Sequence, residues 1–274
     1  MATAPKGLIF LIGAVAACAV GLAVAQTAPA TPPAVDGPAA PIATHPLSTQ
    51  CSVPANEIAA PAPLPTLISR LENHQPLRIL AIGSSSTWGV GATSNRKNYP
   101  SQLEAMLERV LKGVPIEMIN RGVSGETAGT TADRLRMEAA LIKPDIVLWQ
   151  VGTNDAVQRI AVDQFERTVA KTVAILKRKK IDVVLVGLQY TPKYARDEHY
   201  FAIREALKRV ASEQNVLYVR RYQAMEYISK TKATMQMMAD DDFHLNDVGY
   251  QCMAEHIAQA VTANIFVRRR KPAS

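Results

Sequence analysis

The sequence is poor in the residues that commonly hold metals and cofactors. It has only three cysteines and five histidines in 274 residues, and their spacing matches no zinc or other metal-binding pattern. It also has no glycine-rich nucleotide-binding fingerprint. We therefore predict no metal site and no required cofactor. Aromatic residues are scarce as well, at 5%, and those near the predicted strand ends are interpreted as packing residues: Trp88, Tyr99, Trp149 and Tyr190.

The first 25 residues are nearly free of charge. Lys6 is their single charged residue, and it precedes an apolar run over residues 7–25 that ends in an A-x-A motif. This pattern is typical of a secretory signal peptide cleaved after Ala25. Two alternatives stay open, because the run is almost long enough for an uncleaved membrane anchor and residues 15–18 resemble a lipobox with Cys18 as the lipidated residue. All three readings predict a periplasmic or secreted protein, or one attached to the membrane through this segment.

Composition divides the rest of the chain into three parts. Residues 26–66 are rich in proline and alanine, which disfavours helices and central strands and predicts a semi-extended tether. Residues 67–267 are predicted to form one globular domain of a usual size, and residues 268–274 form a basic tail. The chain has a net charge of +7, but an exported protein has little access to nucleic acid. We therefore predict no nucleic-acid partner.

Cysteine usage fits an exported protein. If the signal peptide is cleaved, Cys18 leaves with it, and Cys51 and Cys252 remain. An even pair of cysteines in an oxidising compartment favours a disulfide, which here would tie the tether to the C-terminal helix. Two unpaired thiols are the alternative.

Short apolar runs alternate with helical periodicity throughout the predicted domain. Strands are predicted near residues 77–82, 115–120, 145–151, 181–188 and 216–219, with amphipathic helices between them. The last helix is predicted to begin near Asn246, a good N-cap. This alternation predicts an α/β fold, a three-layer α/β/α sandwich with a central, mostly parallel five-stranded sheet.

Small polar residues follow three of these strands, and a fourth motif precedes the last helix. The motifs are Gly83-Ser84-Ser85 with Thr87, residues 122–127, Gly152-Thr153-Asn154-Asp155, and Asp241 to His244. The carboxyl edge of an open α/β sheet is where ligands bind. An acid three residues before a histidine can hold one imidazole nitrogen and leave the other free to take a proton from a serine. The three successive aspartates at 240–242 are alternatively a cation site or a helix-start cluster.

In order and approximate spacing, these motifs resemble the four sequence blocks of the SGNH hydrolases, also called the GDSL esterase family, over residues 79–261. The resemblance implies the flavodoxin-like fold of that family. It also implies that Ser85 is the nucleophile, that His244 is the general base and acid, and that Asp241 orients His244. The implied oxyanion hole consists of the backbone N–H groups of Ser85 and Gly125 and the side chain of Asn154.

One position departs from the family pattern. Ser84 stands where the family usually has aspartate, so three serines are adjacent. Ser84 and Ser86 therefore stay open as alternative nucleophiles, and Asp242 is the corresponding alternative to Asp241. We expect altered anchoring of this loop rather than lost activity.

The resemblance implies a serine esterase that works through an acyl-enzyme, and the N-terminal pattern predicts that it is exported. Export favours short-chain esters or carbohydrate O-acetyl groups as substrates, small or polysaccharide. The open alternatives are a lipid esterase or lysophospholipase, an acyltransferase with the same triad, and a catalytically silent envelope-binding protein.

Overall fold

A computed structural model describes residues 45–269 of the protein. The predicted signal peptide, residues 26–44 of the predicted tether and the last five residues of the basic tail lie outside the described residues. Cleavage, lipidation and membrane anchoring of the N-terminal segment therefore stay predictions. Within residues 45–269, no helix is long and apolar enough to cross a bilayer.

The strands form a single twisted layer at the centre of the domain. They are β1 (Ala59–Ala60), β2 (Leu77–Gly83), β3 (Ile116–Gly122), β4 (Ile146–Gln150), β5 (Asp182–Val186) and β6 (Leu217–Val219). Their order across the sheet is β1-β6-β5-β4-β2-β3. Strands β2 to β6 pair in parallel, which confirms the predicted parallel sheet, and β1 adds a sixth, antiparallel strand at one edge.

Helices cover both faces of this sheet. They are α1 (Ala55–Ile58), α2 (Pro65–Glu72), α3 (Ser85–Trp88), α4 (Tyr99–Val110), α5 (Ala128–Ile142), α6 (Thr153–Val157), α7 (Val162–Arg178), α8 (Glu198–Glu213), α9 (Arg221–Thr231) and α10 (Asp247–Arg269). Successive strand residues point to opposite faces. Ile79 and Ala81 thus join a core with α4 and α10, whereas Leu80 and Ile82 join a second core with α5, α7 and α8. Burial on both faces explains the continuous apolar runs of the strands.

The described part of the predicted tether differs from the expectation of an extended linker. Residues 45–66 pack against the domain, and they contain α1, β1 and the start of α2. Pro54 precedes α1 and Pro65 opens α2, positions at which the missing N–H of proline costs the helix nothing. The apolar residues between these prolines, Ile58 and Leu64, are buried in the core. Two of the prolines here mark helix starts, and the segment is part of the folded domain.

Cys51 and Cys252 form the predicted disulfide, which joins this N-terminal segment to α10. Two charged side chains hold the same segment. The Glu255 carboxylate accepts hydrogen bonds from the N–H and the hydroxyl of Ser48 at 2.8 and 3.0 Å. The Lys232 ammonium donates to three carbonyls of the segment at 2.7 to 3.0 Å, those of Thr49, Gln50 and Ser52.

Sequence periodicity identified the long helices but missed α9. Its buried residues Tyr222, Met225 and Ile228 recur at helical spacing, so the signal was present in a segment that follows the short strand β6. The predicted N-cap of the last helix is confirmed, because Asn246 Oδ1 accepts the Gly249 N–H at 3.0 Å.

Candidate active site

The first motif forms a tight turn at the carboxyl end of β2, and its three serines differ in their hydrogen bonds. Ser84 Oγ donates to Gln150 Oε1 at 3.0 Å, and Ser86 Oγ accepts from the Arg221 guanidinium at 3.1 Å. Ser85 Oγ has no hydrogen-bond partner among residues 45–269. Of the three hydroxyls, that of Ser85 alone has no hydrogen-bond partner in the described part of the chain.

Gln150, at the end of β4, holds the serine turn through hydrogen bonds to its side-chain oxygen. Its Oε1 also accepts the backbone N–H of Ser84 at 3.0 Å and lies 3.4 Å from Thr87 Oγ1. The Thr87 hydroxyl lies in turn 3.2 Å from the Tyr99 hydroxyl, and all four side chains are buried. A neutral amide and hydroxyl pair thus holds the turn at the position where the family usually has a carboxylate.

The fourth motif holds His244 against Asp241 in the loop before α10. Asp241 Oδ2 lies 2.5 Å from His244 Nδ1, and Asp241 Oδ1 accepts the backbone N–H groups of Phe243 and His244 at 3.0 and 2.8 Å. Partial burial disfavours the charged carboxylate, but the hydrogen bonds from His244 and Phe243 outweigh it and lower the pKa of Asp241 to about 2. The neighbouring Asp242 makes no side-chain hydrogen bond among the described residues.

The implied oxyanion donors lie in three of the motifs, Ser85 in the first, Gly125 in the second and Asn154 in the third. Gly125 has φ +83° and open space around the position of a Cβ, and its N–H and that of Ser85 donate to no acceptor within residues 45–269. Asn154 donates one of its amide hydrogens to the Glu126 carbonyl at 2.8 Å. An amide nitrogen carries two hydrogens, so one is left for a substrate.

Direct contacts bring these loops to one edge of the sheet. The Val123 N–H donates to the Gly83 carbonyl at 2.9 Å, which joins the second motif to the first. Gly91, in the loop after α3, has φ +90°, and a Cβ there would lie 2.4 Å from the Leu245 carbonyl oxygen and 3.3 Å from His244 Cβ. The loops of the nucleophile candidate and of the histidine therefore touch, although Ser85 and His244 themselves form no hydrogen bond in the described structure.

Asp155, in the third motif, connects α6 to the start of α5, a contact that the sequence did not predict. Its side chain is buried in α6, and its Oδ1 accepts the Ala128 N–H at the start of α5 at 2.8 Å. Its Oδ2 has no hydrogen-bond partner in the part of the chain that the structure describes. Burial outweighs the hydrogen bonds from backbone N–H groups and raises the pKa of Asp155 to about 6.

We expect the free energy of unfolding of the wild type to fall as pH rises because of Asp155, and we expect Asp155→Asn to lack this fall. The folded-state pKa of about 6 lies above the ordinary value of 3.8, so the folded protein binds more protons than the unfolded chain between these values. The contribution of this group to the free energy of unfolding therefore falls as pH rises through this window, and the loss persists above it. Asparagine keeps the acceptor for Ala128 without ionising.

Urea unfolding of both proteins at about pH 4 and about pH 8 measures this effect. Relative to wild type, Asp155→Asn should gain roughly 1 to 3 kcal/mol of unfolding free energy between the two pH values. The difference between the two proteins cancels the other titrating groups that they share. A variant whose stability follows that of the wild type at both pH values contradicts the prediction.

A cavity of about 990 Å³ opens at the opposite end of the sheet. Its lining includes Asp145 and Asp182, at the amino ends of β4 and β5, and contains none of the four motifs. Lys143 and Lys179, also in the lining, cap the C-termini of α5 and α7, where cations complement the helix dipole. We therefore assign the cavity no catalytic role.

Among residues 45–269, no group of three His, Cys, Asp or Glu side chains is placed to hold a metal ion.

Comparisons with known proteins identify the family of the chain. Residues 50–266 match the model of the Non-GDSL lipase-like family. An arylesterase of Vibrio mimicus is 25% identical over 190 residues, which are 69% of this chain and 90% of the relative.

Two solved structures share the fold. A variant of Axe2, an acetyl xylan esterase from Geobacillus stearothermophilus, superimposes with a TM-score of 0.59 and 22% identity over 69% of this chain and 96% of that one. CEX, a two-domain esterase active on acetylated mannans, has a TM-score of 0.67 and 19% identity over 78% of this chain, which spans only 58% of that protein. The chain belongs to the Non-GDSL lipase-like family, and with it to the SGNH/GDSL-like carboxylic ester hydrolases.

Proposed function

We propose that this protein is an exported serine esterase in which Ser85, His244 and Asp241 form a catalytic triad. One observation carries the proposal. Of three adjacent serines, only Ser85 keeps a hydroxyl without a partner in the described structure, and the loop after its helix touches the loop in which Asp241 holds His244.

The proposed reaction has two halves. His244 Nε2 takes the proton of Ser85 Oγ as this oxygen attacks the acyl carbon, and it then gives the proton to the departing alcohol, which leaves an acyl-enzyme. Water attacks the acyl-enzyme with the same nitrogen as base, and the carboxylic acid leaves. Asp241 holds His244 Nδ1 and stabilises the imidazolium that forms twice in each cycle.

Three donors are proposed to stabilise the negative charge on the former carbonyl oxygen. They are the N–H groups of Ser85 and Gly125 and the second amide hydrogen of Asn154, none of which is used by the described structure. Donors that are already in place need little reorganisation during the reaction, and each is typically worth about 100- to 1,000-fold in rate.

We propose short-chain acyl esters, and carbohydrate O-acetyl groups in particular, as the substrates. Two proteins of similar fold are described as an acetyl xylan esterase and as an esterase active on acetylated mannans.

The site also has an apolar rim. Trp88, interpreted from the sequence as a packing residue, is 62% exposed three positions after Ser85, and Val123 on the next loop is 45% exposed. Exposed apolar surface beside a site favours ligand contact.

The disulfide supports the proposed export. The bond between Cys51 and Cys252 is buried on both sides, and such structural disulfides persist in oxidising compartments outside the cytoplasm. The N-terminal segment then serves as a signal peptide or as a membrane attachment.

Hydrolysis of p-nitrophenyl acetate, butyrate and octanoate, and acetate release from acetylated xylan and mannan, test this function. We expect acetate to be the best of the three model esters and acetate to be released from at least one polysaccharide. Mass spectrometry after treatment with a fluorophosphonate should locate the label on Ser85. A preference for octanoate favours a lipid esterase, and absence of both turnover and label contradicts the proposal.

A further inference from the structure

Arg221, the first residue of α9, is a buried cation beside the nucleophile turn. It is 3% exposed, and its Nη2 donates to Ser86 Oγ at 3.1 Å and to Gln189 Oε1 at 2.9 Å. Its Nε and Nη1 have no hydrogen-bond partner among the described residues. No carboxylate among the described residues forms an ion pair with Arg221.

Gln189 extends this contact to the histidine loop. Its Nε2 donates to the carbonyl of Phe243, the residue before His244, at 2.8 Å. Gln189 is itself held firmly, because its carbonyl accepts from the Tyr200 hydroxyl at 2.6 Å and its N–H donates to Thr153 Oγ1 at 3.3 Å. Three hydrogen bonds therefore run from the neighbour of Ser85 to the neighbour of His244.

Stability alone does not account for an arginine at this position. A buried guanidinium without a carboxylate partner costs desolvation energy that its hydrogen bonds recover only in part. Replacement of buried charges by apolar side chains of similar size is often neutral or stabilising. Buried polar atoms without partners are rare in folded proteins, and each calls for an explanation.

We propose that Arg221 is a positioning residue that fixes the nucleophile turn relative to the histidine loop through Ser86 and Gln189. Because Ser85 and His244 form no hydrogen bond in the described structure, their alignment depends on how these two loops are held. A displacement of about 1 Å between reacting groups can lower a rate by about 100-fold. The inference rests on the proposed Ser85 and His244 pair.

Arg221→Met and Arg221→Lys, compared with wild type on p-nitrophenyl acetate, test this role. We expect Arg221→Met to lower kcat by about 10- to 100-fold, with KM within about twofold and a melting temperature near that of wild type. Arg221→Lys should recover part of kcat, because its ammonium can donate to Ser86 or Gln189 but lacks the planar fork of arginine.

Arg204→Met is the matched control. Arg204 lies in α8 with its guanidinium 4.1 Å from the centre of the Tyr222 ring, and its Nε makes no hydrogen bond in the described structure but lies 3.7 Å from Glu205 Oε1. It contacts neither the turn nor the histidine loop by a hydrogen bond. This variant should keep the kcat of wild type.

Ser86→Ala and Gln189→Leu break the same connection at its two ends and serve if Arg221→Met does not fold. Each should lower kcat several-fold, and each should add little to the loss in Arg221→Met, since residues of one network are not additive. Unchanged kcat in Arg221→Met, Ser86→Ala and Gln189→Leu overturns the inference. A loss of kcat that only follows the loss of folded protein also overturns it. A wild type without turnover or fluorophosphonate label overturns the proposed function, and the inference with it.

Discussion

Ser85→Ala is expected to lower kcat for p-nitrophenyl acetate by at least about 10⁴-fold. The Ser85 hydroxyl makes no hydrogen bond within residues 45–269, so its removal breaks no hydrogen bond of the fold. The melting temperature should therefore stay near that of wild type while the acyl-enzyme can no longer form. Steady-state kinetics and thermal unfolding on the same preparation measure both quantities.

The adjacent serines are the controls for this prediction. Ser84→Ala loses the bond to Gln150 and should cost about 1 kcal/mol of unfolding free energy, but it should retain turnover. Ser86→Ala should retain at least about one tenth of kcat. His244→Ala should match Ser85→Ala, and the double variant should lose little more, because the two act as a unit. Substantial turnover by Ser85→Ala, or none by Ser86→Ala, would reassign the nucleophile.

Replacing both Cys51 and Cys252 by serine is expected to lower the free energy of unfolding by about 2 to 5 kcal/mol. The bond joins residues 201 positions apart, so its loss frees a large part of the unfolded chain. In the folded state it also connects the buried N-terminal segment to α10. Urea unfolding of wild type and the double serine variant measures the difference.

A reductant separates the disulfide from the side-chain replacements. Reduced wild type should unfold at a urea concentration close to that of the double serine variant, and reductant should not change the variant itself. Equal stability of oxidised wild type and variant would show that the contacts of Glu255 and Lys232 with this segment are sufficient without the bond.

Local patterns in the sequence determined much of the fold and part of the site. The apolar run of β4 and the N-cap at Asn246 depend on neighbouring residues, and the structure confirms both. The contact of Asp241 with His244 spans only three residues, so the sequence alone could indicate it. The order of strands and helices brought the four motifs to one edge because parallel strands end on the same side of a sheet.

Only the tertiary structure decided the features that depend on distant residues. Ser84 and Ser86 are engaged by Gln150 and Arg221, which lie 66 and 135 positions away, so sequence could not tell which of three similar serines stays free. The segment at 45–66 had the composition of a linker, yet its few apolar residues meet a core built from the far end of the chain. The burial that raises the pKa of Asp155 likewise arises from packing. Local propensity describes each segment, but burial and partner choice are properties of the assembled domain.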